Sequence, residues 1–197
     1  MGSLNLFSRD CIPLDLLKTS LNTNTFVETG CYYGDSLLYA VTVGFTRCYS
    51  CDIDQTMVDF CKSRLKDSPA EIEISQESSI EFLTNLMPKI KDVKSVVFFL
   101  DAHLPEFDKN QGQIKINKDE FTFPLEQELD IIYQHRKDHQ DVIICDDLRI
   151  YEDLPFQNGV WHDRHQFNLN SDFLNKYVGY TVKKFTEQEG YILLAKE

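Results

Sequence analysis

An apolar run followed by an amphipathic one recurs along this chain, and that alternation narrows the folds open to it. The strings TFVET, CYSCDI, EIEIS, SVVFFLD and DVIICDD read as strands. Between them DSLLYAVTVG, QTMVDFCKSRLKD, SIEFLTNLM and PLEQELDIIYQHRKD read as helices. PLDLLKTSL, with proline near its start, predicts a short helix ahead of the first strand. Such alternation predicts a parallel sheet with helices on both faces. SVVFFL and DVIIC are apolar throughout, as strands covered on both faces must be. The ending differs. YTVKKF and GYILLAKE are separated by TEQE, too short for a helix, and so predict an antiparallel hairpin. The expected fold is α/β: a Rossmann-like doubly wound sheet, mostly parallel, with a C-terminal antiparallel hairpin.

A chain of 197 residues suits one domain, taken here as residues 1–197. Hydrophobic residues make up 42%, too many for a disordered chain. No apolar run approaches the roughly 18 residues that span a bilayer. The start, MGSLNLFSRD, lacks a basic-then-apolar signal pattern, and Leu6 breaks the myristoylation pattern. Cys48 and Cys51 form a CxxC, but on a strand residues three apart point to opposite faces, so buried thiols are the better reading. Unpaired thiols favour a reducing, cytoplasmic setting. The net charge of −12 repels phosphate backbones, which disfavours nucleic acid as a partner and suits a neutral or cationic small substrate. No membrane partner is expected, and a homodimer is left open.

Ligands of open α/β sheets bind at the carboxyl ends of the strands. The first such end is VETGCYYGDS, with Glu28, Gly30, Tyr32, Gly34 and Ser36 as candidate cofactor contacts. Its glycine spacing is not the G-x-G-x-x-G of a dinucleotide fold. An acid at this strand tip would repel a pyrophosphate but attract an ammonium, directly or through water. The second strand ends in CDID, where Asp52 is placed to accept ribose hydroxyls, Ile53 lies beside it, and Asp54 caps the next helix. At the third strand's end, Glu77 or Ser78 sits where an adenine edge is read.

The fourth and fifth strands end in acid: Asp101, then Asp146 and Asp147. If the strands are neighbours, three carboxylates converge. Two such charges ~4 Å apart repel by about 4 kcal/mol at an effective dielectric near 20. Protonation of one acid would relieve that, and so would a hard divalent cation such as Mg²⁺. A bland alternative is that one of the pair only caps a turn.

Five parallel strands and a terminal hairpin resemble the class I S-adenosylmethionine-dependent methyltransferase fold. The pattern VETGCYYGDS … LDAH … CDDL further resembles the metal-dependent sugar O-methyltransferases of the macrocin O-methyltransferase type. Glu28, Gly30, Gly34 and Ser36 match that family's loop, and Asp101, Asp146 and Asp147 match its strand-end aspartates. The resemblance implies S-adenosylmethionine as cofactor, with Asp101 also beside it, and Mg²⁺ or another divalent cation on the three aspartates. It also implies a hydroxyl of a sugar or glycan as acceptor. It runs from Thr25 to Arg149 as separated motifs. The chain is shorter than the family, and LDAHLPE departs from the family's usual glycine and aspartate after the fourth strand.

Methyl transfer to an alkyl hydroxyl needs a base, and His103 is the first candidate because imidazole titrates near neutrality. Asp101 is the alternative, as ligand and base in one, and a hydrogen-bonded loop histidine is the plain reading of His103. The long connection 104–123 reads as a lid over the substrate. VWHDRHQF offers Trp161 as a stacking face for a sugar, and His162 and His165 read more simply as surface residues. Glu126 and Glu128 either face the site or balance the start of their helix. Other readings of the chain are a catechol-type O-methyltransferase, an NAD-dependent oxidoreductase, and a binding module without activity.

Overall fold

The computed structural model describes residues 13–103, 123–159 and 169–196. Among these residues five α-helices alternate with five strands before the closing hairpin. They are α1 (Leu14–Leu21), β1 (Thr25–Thr29), α2 (Asp35–Thr42), β2 (Arg47–Asp52), α3 (Gln55–Leu65), β3 (Glu71–Gln76), α4 (Ser79–Leu86), β4 (Val97–Leu100), α5 (Leu125–Arg136) and β5 (Val142–Cys145). β6 (Tyr180–Phe185) and β7 (Tyr191–Lys196) follow. The sheet order is β3-β2-β1-β4-β5-β7-β6, parallel from β3 to β5 and antiparallel where β7 pairs with β5 and β6. This is the doubly wound, mostly parallel sheet with a C-terminal antiparallel hairpin expected from the sequence pattern. The chain reverses its direction of travel across the sheet between β1 and β4, so that junction is the switch point where ligands of such sheets bind.

Two apolar layers fill the space between sheet and helices. Val27, Phe98 and Ile143 pack with Phe82, Leu83 and Leu86 of α4 and Leu129 and Ile132 of α5. Their strand neighbours Phe26, Phe99 and Ile144 pack on the other face, with Leu14 of α1, Leu37 of α2 and Val58 and Cys61 of α3. Each such side chain contributes about 1.5–3 kcal/mol by leaving water. Strands that feed both layers read as unbroken apolar runs, which explains SVVFFL and DVIIC. Cys48 and Cys51 fall in opposite layers, and both are free. Among the described residues no helix is long and apolar enough to cross a membrane.

Polar ties fix the ends. Asp54 caps α3 by accepting from the Thr56 N–H at 2.7 Å, and Ser78 with Glu81 forms a capping box on α4. At the opposite edge of the sheet from the switch point, Arg136 is 1% exposed. Its guanidinium donates to both oxygens of buried Asp141 at 2.6 and 2.9 Å and to the Ile90 and Val93 carbonyls at 2.8 Å each. Asp141 in turn accepts from the Val96 N–H at 2.8 Å. This pair locks the end of α5 to the chain entering β4 and β5.

Candidate active site

The loop after β1 is built by glycines the backbone requires. Gly30 has φ +82°, and a Cβ there would lie 2.6 Å from the Asp101 carbonyl oxygen, so the loop crosses the tip of β4 without room for a side chain. The Gly30 and Cys31 N–H groups donate to the Cys51 carbonyl at 3.0 and 2.9 Å, tying the loop to β2 as well. Tyr32 holds φ +42°, a strained value for a non-glycine residue. Its N–H donates to Asp52 Oδ2 at 3.0 Å, while the Asp54 N–H donates to Oδ1 at 2.9 Å. Asp52 therefore shapes the loop and still has lone pairs for a ligand hydroxyl. Ile53 beside it is 59% exposed, an apolar surface at the strand end.

Glu28 lies behind the loop. It is fully buried and accepts from the Ser36 and Ser50 hydroxyls, the second at 2.7 Å. Burial holds its carboxyl well above the usual range, although the two hydroxyls pull it down. Glu28 braces β1, β2 and α2 behind the loop. Ser36 serves the same brace. Ser78 gives its hydroxyl to the α4 cap, and Glu77 Oε2 accepts from Asn85 at 2.8 Å, so neither side chain is committed to the cleft.

The acidic strand ends do meet. β4 and β5 run in register with Leu100 beside Cys145, and the Asp146 N–H donates to the Leu100 carbonyl at 3.0 Å. The meeting set, however, is Asp101, His103 and Asp147, whose candidate ligand atoms all lie within 4.8 Å of one another. His103 Nδ1 is 3.1 Å from Asp101 Oδ1, and Nε2 is 3.1 Å from Asp147 Oδ2. Asp146 Oδ1 turns back to accept from the Asp147 N–H at 2.7 Å, and its Oδ2 is buried with no hydrogen-bond partner. The cause is local backbone. Asp147 adopts the left-handed conformation, φ +55°, which swings its side chain into the cluster. Sequence alone carries no signal for that turn.

Burial would lower His103, but the Asp101 and Asp147 carboxylates beside it overcome that and push it up to about 10. Burial raises Asp101, which the His103 contact partly offsets. Asp146 is raised well above its ordinary value, first by burial and then by the charges of Asp101 and Asp147. Arg149 Nε donates to Asp147 Oδ1 at 3.0 Å and steadies the same carboxylate from behind.

Helix α5 adds a residue that the sequence left ambiguous. Glu126 is solvent-facing and pairs with Lys176 at 2.8 Å, whereas Glu128 is 1% exposed and lies against the Thr29 and Ser79 hydroxyls. The connection 104–122 and the segment with Trp161, His162 and His165 lie outside the described residues.

No family model and no curated protein matches the chain in sequence. Solved structures do match its fold. An O-methyltransferase from Bacillus cereus, in complex with S-adenosylhomocysteine, is 12% identical with a TM-score of 0.63, over 99% of this chain and 83% of that one. A Staphylococcus aureus protein assigned as a caffeoyl-CoA O-methyltransferase is 16% identical with a TM-score of 0.65, over 100% of this chain and 86% of that one. The O-methyltransferase TomG from Streptomyces achromogenes, involved in tomaymycin synthesis and in complex with S-adenosylmethionine, is 14% identical with a TM-score of 0.56, over 93% and 77%. At these identities the likeness is one of fold: a seven-stranded class I methyltransferase sheet.

Proposed function

We propose that the chain is an S-adenosylmethionine-dependent O-methyltransferase that uses a divalent cation to activate a hydroxyl of a sugar or glycan. The main support is the Asp101–His103–Asp147 cluster at the switch point, one backbone contact from the glycine loop. Solved structures of like fold carry S-adenosylhomocysteine and S-adenosylmethionine, and here Gly30, Tyr32, Asp52 and Ile53 ring the corresponding strand ends.

The donor set fits a cation. Two carboxylates and an imidazole converge, and neighbouring Asp146 Oδ2 has no partner. Such oxygen and nitrogen donors suit Mg²⁺ or Mn²⁺, and the imidazole brings Fe²⁺ and Zn²⁺ into range. Asp101 and Asp147 would hold the ion, which when bound supplies charge that acidifies the acceptor hydroxyl and lowers His103. His103, then neutral, takes the hydroxyl proton at a ring nitrogen. Asp147 orients that ring through Nε2, and Arg149 and the Asp147–Asp146 contact hold Asp147 in place.

A methyl-transfer assay with labelled S-adenosylmethionine, a divalent cation and a panel of deoxysugars and glycans tests this. Transfer that stops in excess EDTA and returns with metal is expected. Full activity in EDTA would leave protonated His103 as the cluster's cation and remove the metal from the reaction. Transfer to catechols alone would replace the acceptor class.

A further inference from the structure

One buried acid has no role in the cluster above. Glu128 projects from the first turn of α5 and is 1% exposed. Its Oε1 makes no hydrogen bond, and among the described residues no basic side chain pairs with it. Glu28 is engaged with two serines, Asp52 with two backbone N–H groups, and Asp147 with His103 and Arg149. The carboxyl has the Thr29 and Ser79 hydroxyls against it and no cation, and a buried acid so placed is costly.

Its surroundings indicate what that partner is. The carboxyl lies against Thr29, the residue before Gly30 of the loop, and Ser79, the residue after Ser78 at the end of the third strand's turn. Thr29 Oγ1 is likewise without a hydrogen-bond partner. Asp101 and His103 at the tip of β4 are close enough to act on Glu128 electrostatically, Asp101 raising it and His103 lowering it. Glu128 thus sits where the loop after β1, the turn after β3 and the tip of β4 converge. The first of these is proposed to hold the cofactor, and the last carries the acid cluster. Burial first, with Asp101 adding to it and the two hydroxyls pulling back, pushes its carboxyl up to about 7, and a cation brought alongside would favour its ionised form.

We infer that Glu128 is a binding residue for the cationic methionyl half of the S-adenosyl cofactor. The inference rests on the cofactor reading above. S-Adenosylmethionine carries a sulfonium and an ammonium, S-adenosylhomocysteine only the ammonium, and 5′-deoxy-5′-methylthioadenosine neither. The three ligands separate the charges from the adenosine they share.

Calorimetric titration of the wild-type chain and of Glu128→Gln with all three ligands tests it. Loss of at least tenfold in S-adenosylmethionine affinity is expected, with methylthioadenosine unchanged within twofold. An equal loss for S-adenosylhomocysteine assigns the contact to the ammonium, and a smaller one assigns it to the sulfonium. Equal losses for S-adenosylmethionine and methylthioadenosine, or no loss for either, would overturn the assignment. Wild-type chain that binds none of the three would overturn the cofactor reading itself, and this inference with it. Methylthioadenosine binding also reports that the variant is folded. If Glu128→Gln does not fold, Glu128→Asp makes the same comparison, with an intermediate loss expected for S-adenosylmethionine alone.

Discussion

At the scale of residues, the site is a set of acids sorted by their surroundings. Asp147 faces two cations, Glu28 faces two hydroxyls, and Glu128 faces hydroxyls without a cation. This sorting has a pH signature. A carboxyl raised from 4.5 to about 7 on folding binds its proton more tightly in the folded state. Its favourable contribution is therefore complete below pH 4.5 and is lost as pH rises through 7. Chemical denaturation of wild type and Glu128→Gln should show wild type losing about 3 kcal/mol more stability between pH 4 and pH 8. Parallel pH profiles would show that Glu128 is not proton-linked to folding. At the cluster, the proposed function places Asp147 on the acceptor side, so Asp147→Asn should abolish methyl transfer while calorimetry still detects the cofactor. Loss of cofactor binding in that variant would move Asp147 to the cofactor side.

At the scale of elements, the strained aspartate turn is braced by the distant hairpin. The Leu148 and Arg149 N–H groups donate to the Gly190 and Glu189 carbonyls at 3.0 and 3.1 Å. Gly190 has φ +84°, and a Cβ there would lie 2.4 Å from the Phe156 ring and 3.0 Å from Leu148 Cβ. Gly190→Ala should cost about 2–4 kcal/mol, the sum of left-handed strain and overpacking. It should also weaken divalent-cation binding, read by calorimetry, although it lies far from the cluster in sequence. Unchanged cation affinity would separate the hairpin from the site. The Arg136–Asp141 lock makes a control at the other end of the sheet. Arg136→Leu leaves a buried charge unpaired and should cost about 3–5 kcal/mol, lowering the melting temperature by roughly 10 °C. Cofactor binding should be unaffected below that melting point.

At the scale of the whole molecule, what could be read from sequence was what depends on periodicity. Unbroken apolar runs marked the strands buried on both faces, and TEQE marked the hairpin, so the sheet and its carboxyl edge were legible. The positions of Asp52, Asp101 and the aspartate pair followed from that edge. Illegible were the features set by single dihedral angles and by packing. The left-handed turn at Asp147 aims that side chain at His103, so His103 joins Asp101 and Asp147 in the cluster and Asp146 turns back. Two serines from separate elements hold Glu28 as a brace, and helical phase alone separates exposed Glu126 from buried Glu128. The glycine loop, Asp52 and the acid cluster lie at the carboxyl ends of neighbouring strands, and the proposed function turns on which cofactor binds there. Titration of the chain with S-adenosylmethionine and, separately, with NAD measures that directly. Binding of one S-adenosylmethionine per chain and none of NAD is predicted; no heat with S-adenosylmethionine, or saturable binding of NAD instead, would contradict it.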